Sequence, residues 1–302
     1  MSSKSIIADY KDLYLSKKAE EYLSVVTLES YLKNQKQKKS SKAKVEVVLC
    51  GEALPSPSKL TLGRSFSSTL ISNGEKIPVE LIERVKKQKN FSVIGIQKYL
   101  FYPELEVAMN DCGFETLNLG PFRDDMTLCE PMLRYSKYIF LDMTSLRWGE
   151  FPSENNNNPN GFTANEICQV ARYIGFSCSL KTVFLFGYSE KNLSSVCSRL
   201  IAQIIWHISD GVANNIVEDP SQEFKKGKLS SQFEHKIVDF CSQGDNITFI
   251  MSVATGRWWM EVPLVKNNTT ELVPCTAGDY ESATEGQVPV RWLYSYNRLN
   301  TL

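Results

Sequence analysis

Few side chains in this sequence could carry chemistry, and the first is Asp142, which ends the apolar run Tyr138–Leu141. In open α/β sheets ligands gather at the carboxyl ends of the strands, so a carboxylate there is placed to hold a metal, act as a base or cap the next loop. Glu150 and Glu154 follow in a loop that runs from Ser145 to Gly161. With Asp142 they form the acidic set around which an atypical metal site could be built. Arg147, between them, could pair with the carboxylate of a small ligand or, structurally, with Asp142.

Histidine is scarce: His207 and His235 are the only two in 302 residues. A multi-histidine metal site or a histidine-based nucleophile pair has almost nothing to draw on. By helical periodicity His207 lies at the edge of an apolar stripe, and His235 lies in a polar stretch, so neither is read as a ligand. The eight cysteines include no Cys-x-x-Cys pair and read as reduced, mostly buried small hydrophobes. Neither a glycine-rich phosphate loop nor a G-x-S-x-G elbow is present. No residue is assigned as catalytic, and no cofactor is expected.

Charge and hydropathy narrow the partners. Lys and Arg number 34 against 34 Asp and Glu, which leaves no field for a phosphate backbone or an anionic bilayer. No apolar run reaches the roughly eighteen residues that a membrane span needs, and Met1–Asp9 is too polar for a signal peptide. The sequence therefore reads as cytoplasmic, without membrane insertion. Nucleic acid is disfavoured apart from a contact by the basic stretch 33–44, where Lys33, Lys36, Lys38, Lys39, Lys42 and Lys44 stand among polar residues. That stretch reads chiefly as a solvated linker. Trp206, Trp258 and Trp259 are the candidate contacts for a protein partner or a second copy of the chain. Trp206 falls opposite the apolar stripe of its helix, where either a partner or the C-terminal region must cover it. Adjacent Trp258 and Trp259 must point to opposite faces of a strand.

The elements that position these residues alternate from residue 45 onward. Val45–Cys50, Phe91–Ile96, Phe114–Leu119, Tyr138–Met143 and Thr182–Phe186 read as buried strands. Between them, helices are expected over Val79–Lys89, from Pro103 to a cap at Gly113, through Met126–Tyr135, after a Thr163/Glu166 capping box, and over Leu193–Asp210 with Gly211 as the stop. Such alternation predicts a three-layer α/β/α fold with a mainly parallel sheet. After a polar stretch near 210–232 the period becomes two. Ile247–Val253 and Arg257–Val262 read as a hairpin, Glu271–Cys275 as a third strand, and Gly278–Thr284 and Pro289–Leu299 as short helices. The expected organisation is an arm and basic linker over 1–44, an α/β domain over 45–212, and a small α+β extension over 213–302.

Several segments, in order, resemble the arginase/agmatinase/formiminoglutamase (ureohydrolase) family, and most nearly a divergent bacterial branch with a C-terminal extension. They are Phe140-Leu141-Asp142-Met143-Thr144-Ser145-Leu146-Arg147, then Pro159-Asn160-Gly161-Phe162 with the capped helix Thr163–Tyr173, then Thr182–Tyr188 and its following helix. Phe91–Leu133 upstream and Arg257–Pro263, Val273-Pro274-Cys275 and Asp279-Tyr280 downstream extend the likeness to about two thirds of the chain.

The resemblance implies an arginase-like fold, shortened on its N-terminal side. Active members hold two Mn²⁺ with four aspartates and two histidines, and a bridging hydroxide attacks a guanidinium or formimino carbon. By that pattern Asp142 matches the first aspartate of S-x-D-x-D-x-x-D, Thr144 stands at the second ligand position and Arg147 at the third. No histidine precedes His207, so the G-G-D-H and D-A-H-x-D histidines have no counterpart, and the substrate-orienting glutamate is replaced near Gly187. One remaining carboxylate cannot offset the repulsion and dehydration of two divalent cations. The sequence thus points to a pseudoenzyme acting as a binding or scaffold subunit of a larger bacterial assembly. Two alternatives stand beside it: a manganese-dependent amidine hydrolase with an atypical site, and a small-molecule sensor using the vestigial cleft.

Overall fold

The computed structural model describes residues 2–14, 17–37, 44–54, 56, 60, 67–75, 77, 81, 90–101, 103–221, 224, 231–240 and 245–301. The chain divides into two compact units, one of Met1–Glu106 and Thr116–Asn215, the other of Val107–Glu115 and Ile216–Leu302. In chain order the elements up to residue 215 are α1 (Ser2–Lys11), α2 (Lys17–Tyr22), β1 (Leu23–Thr27), α3 (Leu28–Lys36), β2 (Val45–Gly51), β3 (Ser67–Ile71), β4 (Asn90–Ile96), α4 (Pro103–Asp111), β5 (Glu115–Asn118), α5 (Leu119–Asp124), α6 (Glu130–Leu133), β6 (Tyr138–Asp142), α7 (Ala164–Gly175), β7 (Thr182–Phe186) and α8 (Ser195–Asn214). The expected helix at 79–89 falls, except for Leu81, outside the described residues.

The seven strands form one sheet in the order β1-β2-β7-β6-β3-β4-β5, with parallel pairing from β1 across to β4. Apolar residues on both pleat faces explain why these strands read as continuous runs. Val47, Leu49, Ile139, Leu141, Val183 and Leu185 face a core that also takes Ile167, Val170 and Ile174 from α7 and Ile201, Ile204 and Ile208 from α8. Alternate positions carry Phe140 and Phe184, whose rings stack at 5.3 Å, and Tyr31 of α3 meets Phe184 edge-on at 5.6 Å. This is the three-layer arrangement that the alternation predicts.

Three expectations need correction. Residues 2–14 and 17–36 are not an arm: α1 lies along α8, where Tyr10 donates to Ser209 Oγ at 3.3 Å, and β1 pairs in parallel with β2 as an edge strand. In the basic stretch, Lys33 and Lys36 belong to α3, Lys44 lies over the Tyr22 ring at 5.7 Å, and residues 38–43 are outside the described set. Gly211 does not stop its helix. It sits inside α8 facing Gly175 of α7, and a Cβ at either glycine would come within 2.5 Å of backbone in the other helix. The pair sets how closely the two helices approach. Strand β3 is not expected from the sequence, because Ser67, Ser68 and Thr69 make it look polar. Thr69 is nevertheless buried, with its hydroxyl within hydrogen-bonding distance of Ser92 Oγ at 2.9 Å, Ser136 Oγ at 2.6 Å and the Met132 carbonyl at 3.1 Å.

The second unit is an antiparallel sheet in the order β11-β10-β9-β8, made from β8 (Phe233–Phe240), β9 (Asp245–Ser252), β10 (Trp258–Leu264) and β11 (Thr269–Cys275), with helices α9 (Ala277–Thr284) and α10 (Val290–Thr301). The pleat sends Trp258 and Trp259 to opposite faces. Trp258 stacks on Tyr280 of α9 at 4.9 Å, and Trp259 packs edge-on against Phe233 at 6.0 Å. Both rings are buried inside this unit, so the expectation that they present a partner surface fails. His235 lies on β8, an edge strand absent from the sequence reading, and is exposed.

Candidate functional site

The connections after β3 and after β6 leave in opposite directions, since β3 leads to β4 on one side and β6 to β7 on the other. The carboxyl ends of β3 and β6 are therefore the point where the connections reverse, the usual ligand position in an open α/β sheet. Asp142 closes β6 there and is buried.

Its carboxylate is taken up by the chain itself. Asp142 Oδ1 accepts the Thr144 N–H at 2.9 Å and the Thr144 hydroxyl at 2.7 Å, and Oδ2 accepts the Ser72 hydroxyl at 3.3 Å from the end of β3. The Ser145 hydroxyl adds a bond to the Asp142 carbonyl at 2.6 Å. Asp142 is thus the cap of the short 3₁₀ turn Met143–Ser145. Asn73, also after β3, reaches the Thr144 carbonyl at 3.5 Å. From β7, Gly187 holds φ at +86°, and a Cβ there would stand 2.5 Å from Asp142 Oδ1, so a side chain at this position would displace the carboxylate.

The other candidate residues lie apart from Asp142. Arg147 does not pair with it: the guanidinium forms a bidentate contact with Glu150 Oε1, its Nε bond being 3.1 Å. Glu154 accepts from Asn192 Nδ2 at 2.7 Å. Asp142, Glu150 and Glu154 therefore have separate partners, and among the described residues no group of three or more His, Cys, Asp or Glu side chains is arranged to hold a metal ion.

The loop between β6 and α7 is built by its asparagines. Asn156 Nδ2 donates to the carbonyls of Leu146 at 3.0 Å and Phe151 at 2.9 Å. Trp148 N–H donates to the Asn158 carbonyl at 2.6 Å. Arg123 then fastens the loop's end, donating to Asn160 Oδ1 at 3.1 Å, the Gly161 carbonyl at 2.7 Å and Glu166 Oε1 at 3.0 Å. The other oxygen of Glu166 completes the expected capping box with Thr163.

Away from this crest, Trp206 of α8 donates its Nε1 proton to the Tyr14 carbonyl at 2.6 Å. Leu13, Tyr14, Gln203, Trp206 and His207 line an apolar cleft of about 250 Å³. The cover expected from the C-terminal region is supplied instead by the residues that follow α1. Burial pulls the His207 imidazole below its ordinary pKa, with Asp210 opposing the shift and Arg172 adding to it. Among the described cysteines all are free, and burial lifts the Cys50 thiol to about 12, with the Glu190 charge adding to the rise.

No protein-family model and no curated protein sequence matches the chain. Solved structures do. Trypanosoma cruzi formiminoglutamase, solved with manganese, aligns with 12% identity over 64% of this chain and 73% of its own, at a TM-score of 0.53. An arginase superfamily protein from the same organism gives 12% identity over 64% and 74%, at 0.52. Formimidoylglutamase from Bacillus subtilis gives 13% identity over 57% of this chain and 62% of that enzyme, at 0.49. The chain spans less than two thirds of the Bacillus enzyme. At these identities the likeness establishes architecture alone: the chain has an arginase-like fold.

Proposed function

We propose that this chain uses the arginase fold without hydrolysis, as a pseudoenzyme that serves as a binding or scaffold subunit of a larger bacterial assembly. The observation that carries the reading is the engagement of Asp142. In a metal centre the carboxylate's lone pairs face a cation, whereas here they accept protons from Thr144 and Ser72. The groups beside it at the strand ends, Ser72, Asn73, Thr144 and Ser145, are neutral. Nothing in that set supplies the negative charge that would hold two divalent cations close together.

The test combines composition with mass. Protein purified with manganese present is analysed for bound metal and assayed for urea from arginine and for formamide from formiminoglutamate. The proposal expects well under one equivalent of manganese and no product, together with a native mass in its own cell extract above that of a single chain. Stoichiometric metal with product release would make the chain an enzyme, and a strictly monomeric native species would remove the scaffold role.

A further inference from the structure

Two Asn-Gly pairs lie in the first unit, Asn73-Gly74 and Asn160-Gly161. A glycine leaves its own backbone nitrogen unshielded, so that nitrogen can attack the side-chain carbonyl carbon of the asparagine before it. The fold treats the two pairs in opposite ways. Asn73 is 1% exposed, its Oδ1 accepts the Glu75 N–H at 3.0 Å, and the Gly74 N–H is donated to Ser72 Oγ at 3.3 Å. Asn160 is exposed at the end of the loop after β6, and the Gly161 N–H has no acceptor among the described residues.

Arg123 prepares the second pair. Its Nη1 donates to Asn160 Oδ1 at 3.1 Å, and since a guanidinium can only donate, this contact fixes which way the amide is turned. The oxygen on which negative charge develops during attack therefore faces a cation. Nδ2, on the other side, lies 3.4 Å from the Tyr99 hydroxyl. The backbone around the pair is held: the Asn160 N–H donates to Asn158 Oδ1 at 3.2 Å, Arg123 Nη2 to the Gly161 carbonyl at 2.7 Å, and the Phe162 N–H to the Ser145 carbonyl at 2.9 Å. Gly161 has so little room that a Cβ on it would stand 2.3 Å from the Ser145 carbonyl oxygen.

We propose that Asn160 is a site of self-modification, where hydrolytic deamidation yields chiefly aspartate and sets a second carboxylate, beside that of Glu166, on Arg123. The Gly161 nitrogen gives its proton to hydroxide and bonds to Asn160 Cγ. The Cγ–Nδ2 bond then breaks, and the nitrogen leaves as ammonia with a proton from water. Water opens the cyclic imide that remains. Opening at Cγ leaves aspartate at position 160, whereas opening at the backbone carbonyl carbon gives isoaspartate, which lengthens the main chain by one carbon. Isoaspartate predominates in an unstructured peptide. Here the added carbon would fall between fixed segments and beside a glycine without space, while an aspartate carboxylate keeps the contact that the amide oxygen makes with Arg123 and strengthens it. The modification goes beyond the scaffold role and does not depend on it.

The test ages the purified full chain at mildly alkaline pH beside a synthetic peptide of residues 154–166. Mass spectrometry with electron-transfer fragmentation reads both and separates aspartate from isoaspartate. Asn160 is expected to convert about tenfold or more faster than Asn73, whose following N–H is released only by local opening. Aspartate is expected as the main product in the chain and isoaspartate in the peptide. Arg123→Gln is expected to move the chain's product ratio toward that of the peptide. Should that variant fail to fold by circular dichroism, the comparison of chain with peptide decides alone. An Asn160 still intact when the peptide has converted, conversion no faster than at Asn73, an equal product ratio in chain and peptide, or an unmoved ratio in folded Arg123→Gln would each overturn the proposal. None of these results alters the manganese, product or native-mass outcomes that test the scaffold role.

Discussion

Thr144 directs both its backbone N–H and its hydroxyl onto a single oxygen of Asp142, at 2.9 and 2.7 Å. The position that the resemblance assigns to a second metal ligand thus acts as a donor to the first. The strand end is thus a turn cap, and a group that donates to a carboxylate would compete with any cation for the same lone pairs.

Replacing Asp142 by Ala is expected to lower stability by about 2–4 kcal/mol, since it leaves buried donors on Thr144 and Ser72 without an acceptor. Thr144→Val, which removes one hydroxyl and keeps the shape, should cost about 1 kcal/mol. Urea unfolding midpoints measure both. A midpoint unchanged in Asp142→Ala would mean that the carboxylate does not cap the turn.

Gly187→Ala should cost about 2 kcal/mol or more, from a positive φ and from the clash with Asp142 Oδ1 acting together. Thermal melting compares it with Gly149→Ala, where an added Cβ meets nothing within 4 Å. Equal melting temperatures in the two variants would refute the close approach.

The pH response of His207 has a defined sign. Its folded pKa is lowered by burial, so its contribution to stability is complete above the unfolded value near 6.5 and falls as pH drops below it toward the lowered folded value. His207→Gln should therefore reduce the loss of stability between about pH 7 and pH 5. Parallel pH profiles for the two proteins would exclude this role.

Trp206→Phe keeps an aromatic ring in the cleft and removes the bond to the Tyr14 carbonyl. Loosening of residues 13–14 should speed tryptic cleavage after Lys11 about threefold or more. Cleavage at the wild-type rate would show that the tryptophan does not hold this segment.

Cys50 is expected to resist alkylation. With its thiol lifted to about 12, its thiolate fraction near neutral pH is on the order of a thousandfold below that of an ordinary cysteine. Mass spectrometry after iodoacetamide treatment of the folded protein reads this directly. Rapid labelling at Cys50 would contradict it.

Much of the parallel sheet is legible because β6 and β7 are unbroken apolar runs buried on both faces, and the Thr163/Glu166 box marks the start of α7 to the residue. Strand β3 is not legible, since its buried hydroxyls satisfy one another across elements and a linear pattern does not record that. The same gap hides half of the site. Asp142 stands out from its own segment, but its partner Ser72 is 70 residues away at the end of the unseen strand. Arg147 is misassigned for the opposite reason: its partner Glu150 is three residues on, and the turn lets a local pair form before any distant one. For the tryptophans, sequence fixes the opposite faces of Trp258 and Trp259 but not which local elements cover them.

Strand β1 has a meaning beyond the count of strands. It lies on the outer side of β2, whose other neighbour is β7. A chain trimmed to residue 45 would turn β2 into a flank with a bare row of amides and carbonyls, carrying Val45, Val47, Val48 and Leu49. Such a flank is a template for pairing with other chains. The lysine-rich connection that looks dispensable joins the sheet to the strand that covers the flank of β2.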